Sequence, residues 1–221
     1  MTASTPSSVL PADFTAELFG QARTVTRARN QALFHAGDPC DGCYRVVEGL
    51  LKVTAEASRR ERILAILGPG ALVGELSLID GAARSASVTA IRDSRLSFVT
   101  RAAFETFAQA NPEVYRHISV LLARHLRDNN DALVATSFLS VKGRAARALL
   151  SLADAFGEDV GSGRILIHQK VSQGDLAAMA GIARENLSRV LQEWMHNALV
   201  KRLASYYCVE NKAALEREAD I

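Results

Sequence analysis

From Glu113 to Lys142 the chain runs for about thirty residues without a Gly or a Pro, and this stretch limits the fold more than any other. It is longer than most helices of globular proteins and predicts an interdomain helix or a coiled coil. One stripe through it, Tyr115, Ser119, Leu122, Leu126, Asn129, Leu133 and Thr136, alternates steps of four and three. That is a heptad seam, and it predicts a parallel homodimer joined along the helix. Before the run, the texture is one of brief apolar stretches: Leu33-Phe34, Tyr44 to Val47, Leu50 to Thr54, Ile63 to Leu67, Leu72-Val73, Ser87 to Ala90 and Arg95 to Val99. Turn signals such as Asp41-Gly42, Glu48-Gly49, Gly68-Pro69-Gly70 and Asp80-Gly81 separate them, which predicts a compact β barrel or roll. After the run, Phe138 to Val141 is a candidate hinge. Lys142 to Phe156 then carries one apolar face and ends at Gly157.

Composition narrows the class. A chain of 221 residues holds one large domain or two small ones. Its 48% hydrophobic and 23% charged content is that of a soluble globular protein, and no apolar run approaches the roughly 18 residues of a membrane span. The start, MTASTPSSVLPADF, lacks the layout of a secretory signal, so a cytoplasmic protein without a membrane partner is expected. Cys40, Cys43 and Cys208 are too few for a disulfide framework, and Cys40-x-x-Cys43 alone leaves a tetrahedral metal site two ligands short. The histidines at 35, 117, 125, 168 and 196 are scattered. No metal is expected. Nor can a nucleophile, a base and an orienting group be assembled, which argues against an enzyme.

Chemistry first gathers between Gly70 and Val88, GALVGELSLIDGAARSASV, where Gly74, Glu75, Arg84 and Ser85 interrupt an apolar, strand-like run. A Gly admits a ligand to the backbone, a carboxylate accepts from a sugar hydroxyl, and an Arg followed by a Ser suits a phosphate. The plain alternative is two strands about a turn at Asp80-Gly81, with solvated charges. Asn129 and Asn130 also have two readings. An Asn in a heptad seam fixes register, which suits Asn129, whereas a pair of amides can face a ligand, which suits Asn130.

A second centre lies between Ser172 and Leu191. Ser172-x-x-Asp175 reads as a capping box opening a helix to about Met179, and Gly181 takes the turn. A second helix, from about Arg184 to His196, buries Leu187, Val190 and Leu191. Two helices at this spacing are a helix-turn-helix. Arg184, Glu185, Ser188 and Arg189 share the opposite face. Arg can bond guanine O6 and N7 together and Glu can accept from cytosine, so double-stranded DNA is the expected partner; an i,i+4 ion pair is the plainer use of Glu185 and Arg189. Leu199 to Leu203 and Tyr206 to Glu210 then predict a two-stranded wing, and Asn211 onward a charged terminal helix. Net charge is only +2, so placement rather than total charge carries this reading.

From about Thr24 to Glu210 the chain resembles the cyclic AMP receptor protein (catabolite activator) / fumarate-nitrate regulator family of bacterial transcription regulators. The resemblance rests on Gly74-Glu75-Leu76 with Arg84-Ser85-Ala86, and on Gly181-Ile182-Ala183-Arg184-Glu185-Asn186-Leu187-Ser188-Arg189. It implies an α+β fold: an N-terminal cyclic-nucleotide-binding β-roll over residues 1–111, a long dimerisation helix over 112–138 and a C-terminal winged helix-turn-helix over 139–221. It implies a ligand site at Gly74, Glu75, Leu76, Arg84 and Ser85, with Glu75 on the ribose 2′-hydroxyl and Arg84 and Ser85 on the cyclic phosphate. It also implies DNA contacts from Ser172, Gln173, Arg184, Glu185, Ser188 and Arg189 on palindromic sites with TGTGA-like half-sites.

Two positions depart from the family pattern. The best-known member has hydroxyl residues where this chain has Asn129 and Asn130, and an amide can meet an adenine or a guanine edge. Cyclic AMP and cyclic GMP therefore both stand as effectors. Ala183 replaces the Ser or Thr that usually caps the recognition helix. The cysteines do not match the four-cysteine pattern of the family's iron-sulfur sensors. RNA polymerase is an implied partner, with Glu158 to Gln169 a candidate surface. The same DNA head with another effector or none, and a nucleotide-binding module acting on a protein partner, are the competing readings.

Overall fold

The computed structural model describes residues 10–57, 60–204 and 206–219, so the sequence reading of the first nine residues falls outside it. The chain divides between Asp128 and Asn129 into two compact units.

The first unit contains α1 (Ala12–Phe19), β1 (Arg23–Arg27), β2 (Ala32–Phe34), β3 (Gly42–Glu48), β4 (Leu51–Ala57), β5 (Arg60–Leu67), β6 (Leu72–Val73), α2 (Glu75–Asp80), β7 (Ser87–Ala90), β8 (Ser94–Thr100), α3 (Arg101–Ala110) and the first half of α4 (Val114–Phe138). Its strands form two antiparallel sheets in the orders β1-β8-β3-β6 and β2-β7-β4-β5. Alternate residues turn inward, as a half-buried strand requires, and Leu33, Val46, Leu51, Val73, Val88, Leu96 and Phe98 close a core between the sheets. A second apolar cluster joins α1, α2, α3 and α4 through Leu18, Phe19, Leu78, Phe104, Phe107, Val114, Ile118 and Leu121. That cluster positions α2 and fixes the rotation of the first half of α4 within the unit.

Three expectations are corrected. The strand-like run around Glu75 is instead the helix α2. Gly74 and Gly81 bracket it at φ of 84° and 74°, left-handed values that end a strand and cap a helix, and short apolar runs do not distinguish the two by period. β1 was not expected, because Arg-Thr-Val-Thr-Arg has one apolar residue; pairing with β8 along five residues makes it a strand. β9 (Gly157–Asp159) likewise takes its form from pairing with β10 (Ile165–Ile167) and not from its own residues.

The run without Gly or Pro is not one helix. α4 spans 25 residues and stops within the candidate hinge, where Ser140 starts α5 (Val141–Phe156) by accepting the Gly143 N–H at 3.1 Å. A serine cap, not Gly or Pro, separates the two helices at that hinge. Gly143 lies inside α5, and a Cβ there would meet the Glu218 carbonyl at 3.0 Å, so its lack of a side chain admits α8 (Lys212–Ala219).

The second unit continues with α6 (Gln173–Ala180), α7 (Arg184–His196), β11 (Val200–Leu203) and β12 (Tyr206–Val209) before α8. Its antiparallel sheet has the order β11-β12-β10-β9. Leu149, Leu152, Leu176, Leu187, Leu191 and Trp194 are fully buried within it. Lys212 in α8 bonds Asp154 of α5 at 3.0 Å. The fold is therefore α+β: a β-roll, a long helix and a winged helix-turn-helix. Among the described residues no helix is long and apolar enough to cross a membrane.

Candidate functional site

Gly74, Glu75 and Arg84 come together in the first unit. Gly74 leaves β6 in the left-handed region, so the next residues turn into α2 and Glu75 falls on its first turn. Arg84 follows the loop after α2 and is pinned by its backbone: its N–H donates to the Asp38 carbonyl at 2.9 Å and its carbonyl accepts from Gly37 N–H at 2.8 Å. Its side chain turns inward, leaving the residue only 3% exposed. There Nη1 donates to the Gly74 carbonyl at 3.0 Å, and Nη2 donates to Asp41 Oδ1 and to the Gly42 carbonyl, both at 2.7 Å. The guanidinium lies over the Phe34 ring, 4.3 Å from its centroid, a geometry in which the ring face meets positive charge. Nε has no partner. A Cβ at Gly74 would stand 2.3 Å from Arg84 Nη1, so a side chain there would displace the guanidinium. Ser85 is exposed beside this buried charge, and Leu76 is exposed on α2.

Glu75 is buried at 8% exposure, and His125 Nδ1 of α4 lies 3.3 Å from its Oε1. The hydrogen bond to Glu75 raises the His125 pKa from its ordinary value of 6.5, with burial opposing the shift. Cys43 is buried and its thiol is pushed up to about 12, by burial first and the Glu75 charge second. With Cys40 and Cys208 it is a free cysteine, and a thiol so far from its thiolate form is a poor redox group. Among the described residues no cluster of three or more His, Cys, Asp or Glu offers a metal site.

Asn129 and Asn130 are exposed on α4 and begin the second unit. Along the same helix Leu126, Leu133 and Phe138 are 61%, 66% and 69% exposed, an apolar series that a single copy leaves bare.

The second unit holds the other group of expected residues. The Ser172 hydroxyl accepts the Asp175 N–H at 3.0 Å and donates to the Asp175 carboxylate at 2.6 Å, which starts α6 one residue before Gln173. Gly181 ends it at φ 62°, and the chain passes through Ile182 to α7. Ala183 is the N-cap of α7 and supplies no side-chain bond. Leu187, Val190, Leu191 and Trp194 bury one face of α7. Arg184, Glu185 and Arg189 are exposed on the other, with Ser188 half-buried beside them. In the wing, Lys201 and Arg202 are exposed on β11, and β9 of the candidate polymerase surface is exposed along its length.

Sequence reasoning missed Asp41, Phe34 and His125. Asp41 was read as a turn residue, and nothing local announces that its carboxylate reaches a buried arginine. His125 did carry a signal: it stands four residues after Leu121 and seven after Ile118, on the face of α4 that packs against the first unit.

The chain matches the cyclic nucleotide-binding domain over residues 24–111 and the Crp-like helix-turn-helix domain over residues 143–218. It is 31% identical over 205 residues to a CRP-like cAMP-activated global transcriptional regulator of Mycobacterium tuberculosis, covering 92% of this chain and 91% of the relative. It is 33% identical over 192 residues to the cyclic AMP receptor protein of Thermus thermophilus, covering 86% and 85%. Its fold is similar to that of FixK2 from Bradyrhizobium japonicum, with a TM-score of 0.80 at 21% identity over 90% of this chain and 98% of the other.

Proposed function

The chain belongs to the cyclic AMP receptor protein family of transcription regulators, with a cyclic nucleotide-binding domain followed by a helix-turn-helix DNA-binding domain, and from that premise we propose that it is a cytoplasmic homodimer whose grip on DNA is set by a cyclic nucleotide. In this reading residues 1–111 are the sensor, 112–138 the dimerisation helix and 139–221 the reader.

Arg84 carries the proposal. A guanidinium buried to 3% exposure, with Nε unpartnered among the described residues and a glycine packed against it, is a costly thing to build for stability alone. An anion suits it. Nε and the exposed Ser85 hydroxyl are donors left for the cyclic phosphate, Gly74 and Leu76 border that site, and Glu75 accepts from the ribose 2′-hydroxyl. Asn129 and Asn130 answer for the base, cyclic AMP first and cyclic GMP second. The bare pair Leu126 and Leu133, seven residues apart on the seam, supports pairing of two copies along α4, as heptad-spaced apolar residues do.

In the reader, Ser172 and Gln173 at the start of α6 meet the DNA backbone, and Arg184, Glu185, Ser188 and Arg189 meet base edges of palindromic TGTGA-like sites. Glu158 to Gln169, with the exposed β9 at its start, is the face offered to RNA polymerase. For the nucleotide to act at all, it must bind more tightly to the DNA-competent form of the dimer than to the other form.

A second reading keeps the reader and gives the sensor another effector or none. The acceptors already placed around Arg84 by Asp41, Gly42 and Gly74 favour it. Operator binding measured in parallel with no ligand, cyclic AMP and cyclic GMP separates the two. Tighter binding with either nucleotide is expected, and equal binding in all three would transfer the assignment to the second reading.

A further inference from the structure

We propose that His125 is a positioning residue of the nucleotide site, holding the Glu75 carboxylate from α4 and making nucleotide affinity depend on pH. The inference rests on the nucleotide reading above. Glu75 is buried, and its Oε1 is taken by His125 Nδ1 at 3.3 Å. A carboxylate has about four acceptor positions, so this bond leaves Oε2 for a sugar hydroxyl while fixing the plane of the group. It also addresses a difficulty of the site. An anionic nucleotide must approach a buried carboxylate, and a protonated imidazole on the far side of that carboxylate offsets the repulsion.

The surroundings favour the charged form of His125. Facing it are Glu75 from α2 and, one turn further along α4, Asp128; both raise its pKa above 6.5. Cys43 of β3 also feels Glu75, but with its thiol at about 12 it stays neutral. Arg84 is the fixed positive charge of the site, held by Asp41. The group left to change its charge is therefore the histidine, whose pKa the Glu75 hydrogen bond raises.

The sign follows from linkage. The His125 pKa is already raised in the folded protein, so the pair is complete below pH 6.5 and is lost as the pH rises through the raised value. A bound phosphate adds a further negative charge and raises the value again, so binding takes up protons and weakens as the pH rises.

Calorimetry of the full chain with cyclic AMP, between pH 6.0 and 8.5 in buffers of differing ionisation heat, tests this directly. The expected results are an affinity about tenfold weaker at the upper end and net proton uptake. His125→Arg, which keeps a positive charge at every pH used, should bind with a flat profile. His125→Gln should also be flat, at the weak level of the wild type at pH 8.5. A wild-type affinity constant within about twofold across the range, or a slope that survives in His125→Gln, would overturn the proposal and leave the nucleotide site standing. Absence of cyclic AMP and cyclic GMP binding at every pH would overturn both.

Discussion

Arg84 and Arg184 carry the same guanidinium into opposite surroundings. Around Arg84 the fold supplies two carbonyls, a carboxylate and an aromatic face, and the side chain is buried. Arg184 stands on the outer face of α7, where Glu185 and Arg189 are exposed with it and the buried contacts belong to Leu187, Val190, Leu191 and Trp194. A buried charge has to be compensated before a ligand arrives, so binding at the sensor is coupled to the packing of its unit. An exposed charge is compensated by water and exchanges that water for a base or a phosphate. Changes at the sensor should therefore move folding and binding together. Changes at the exposed charges of the reader should move DNA binding alone.

Arg84→Ala presses hardest on this contrast. It removes the donor proposed for the phosphate and leaves the Gly74 and Gly42 carbonyls without their partner, so nucleotide affinity should fall by about 3 kcal/mol, roughly a hundredfold, with a lowered melting temperature. Undiminished binding by calorimetry would remove the phosphate site and the coupling with it. Gly74→Ala should follow at about 2 kcal/mol of stability, because the alanine is strained at φ 84° and its Cβ collides with Nη1. Denaturant unfolding reads that cost, and an unchanged midpoint would mean that Arg84 can withdraw freely.

At the reader, Glu185→Ala should relax the base preference at one position by about 1–2 kcal/mol and leave the melting temperature alone. Binding to a panel of single-base operator variants checks the first part, and loss of stability would break the separation between the two regions. Ala183→Ser is the smallest change. By supplying the cap that α7 lacks, it should stabilise the fold by about 1 kcal/mol and add one phosphate contact, tightening all DNA sequences alike. Preferential tightening on one operator would show that the position reads bases.

Much of the reader was legible because its signals are local. Ser172 caps within three residues, Gly181 turns with its own φ, and the face of α7 follows from a period of 3.6, so the helix bounds Arg184 to His196 could be read from spacing. The sensor was legible in residue types and poorly in shape. Glu75 and Arg84 were found, but α2 was taken for a strand, because apolar spacing over six residues does not separate the two forms. β1 and β9 were missed, since a strand with little propensity of its own exists only when a neighbour pairs with it.

The chain by itself determined the division into a β-rich half, a long helix and a helix-turn-helix, because period, turn residues and caps act over a few residues. Only the tertiary structure decided what surrounds each charge. Asp41 lies 43 residues from Arg84 in the chain and 2.7 Å from it in space. His125 reaches Glu75 because Ile118 and Leu121 set the rotation of α4 against the first unit. Burial and pairing of that kind depend on contacts between distant segments, and they turn a Glu and an Arg in a short motif into a site with a defined charge.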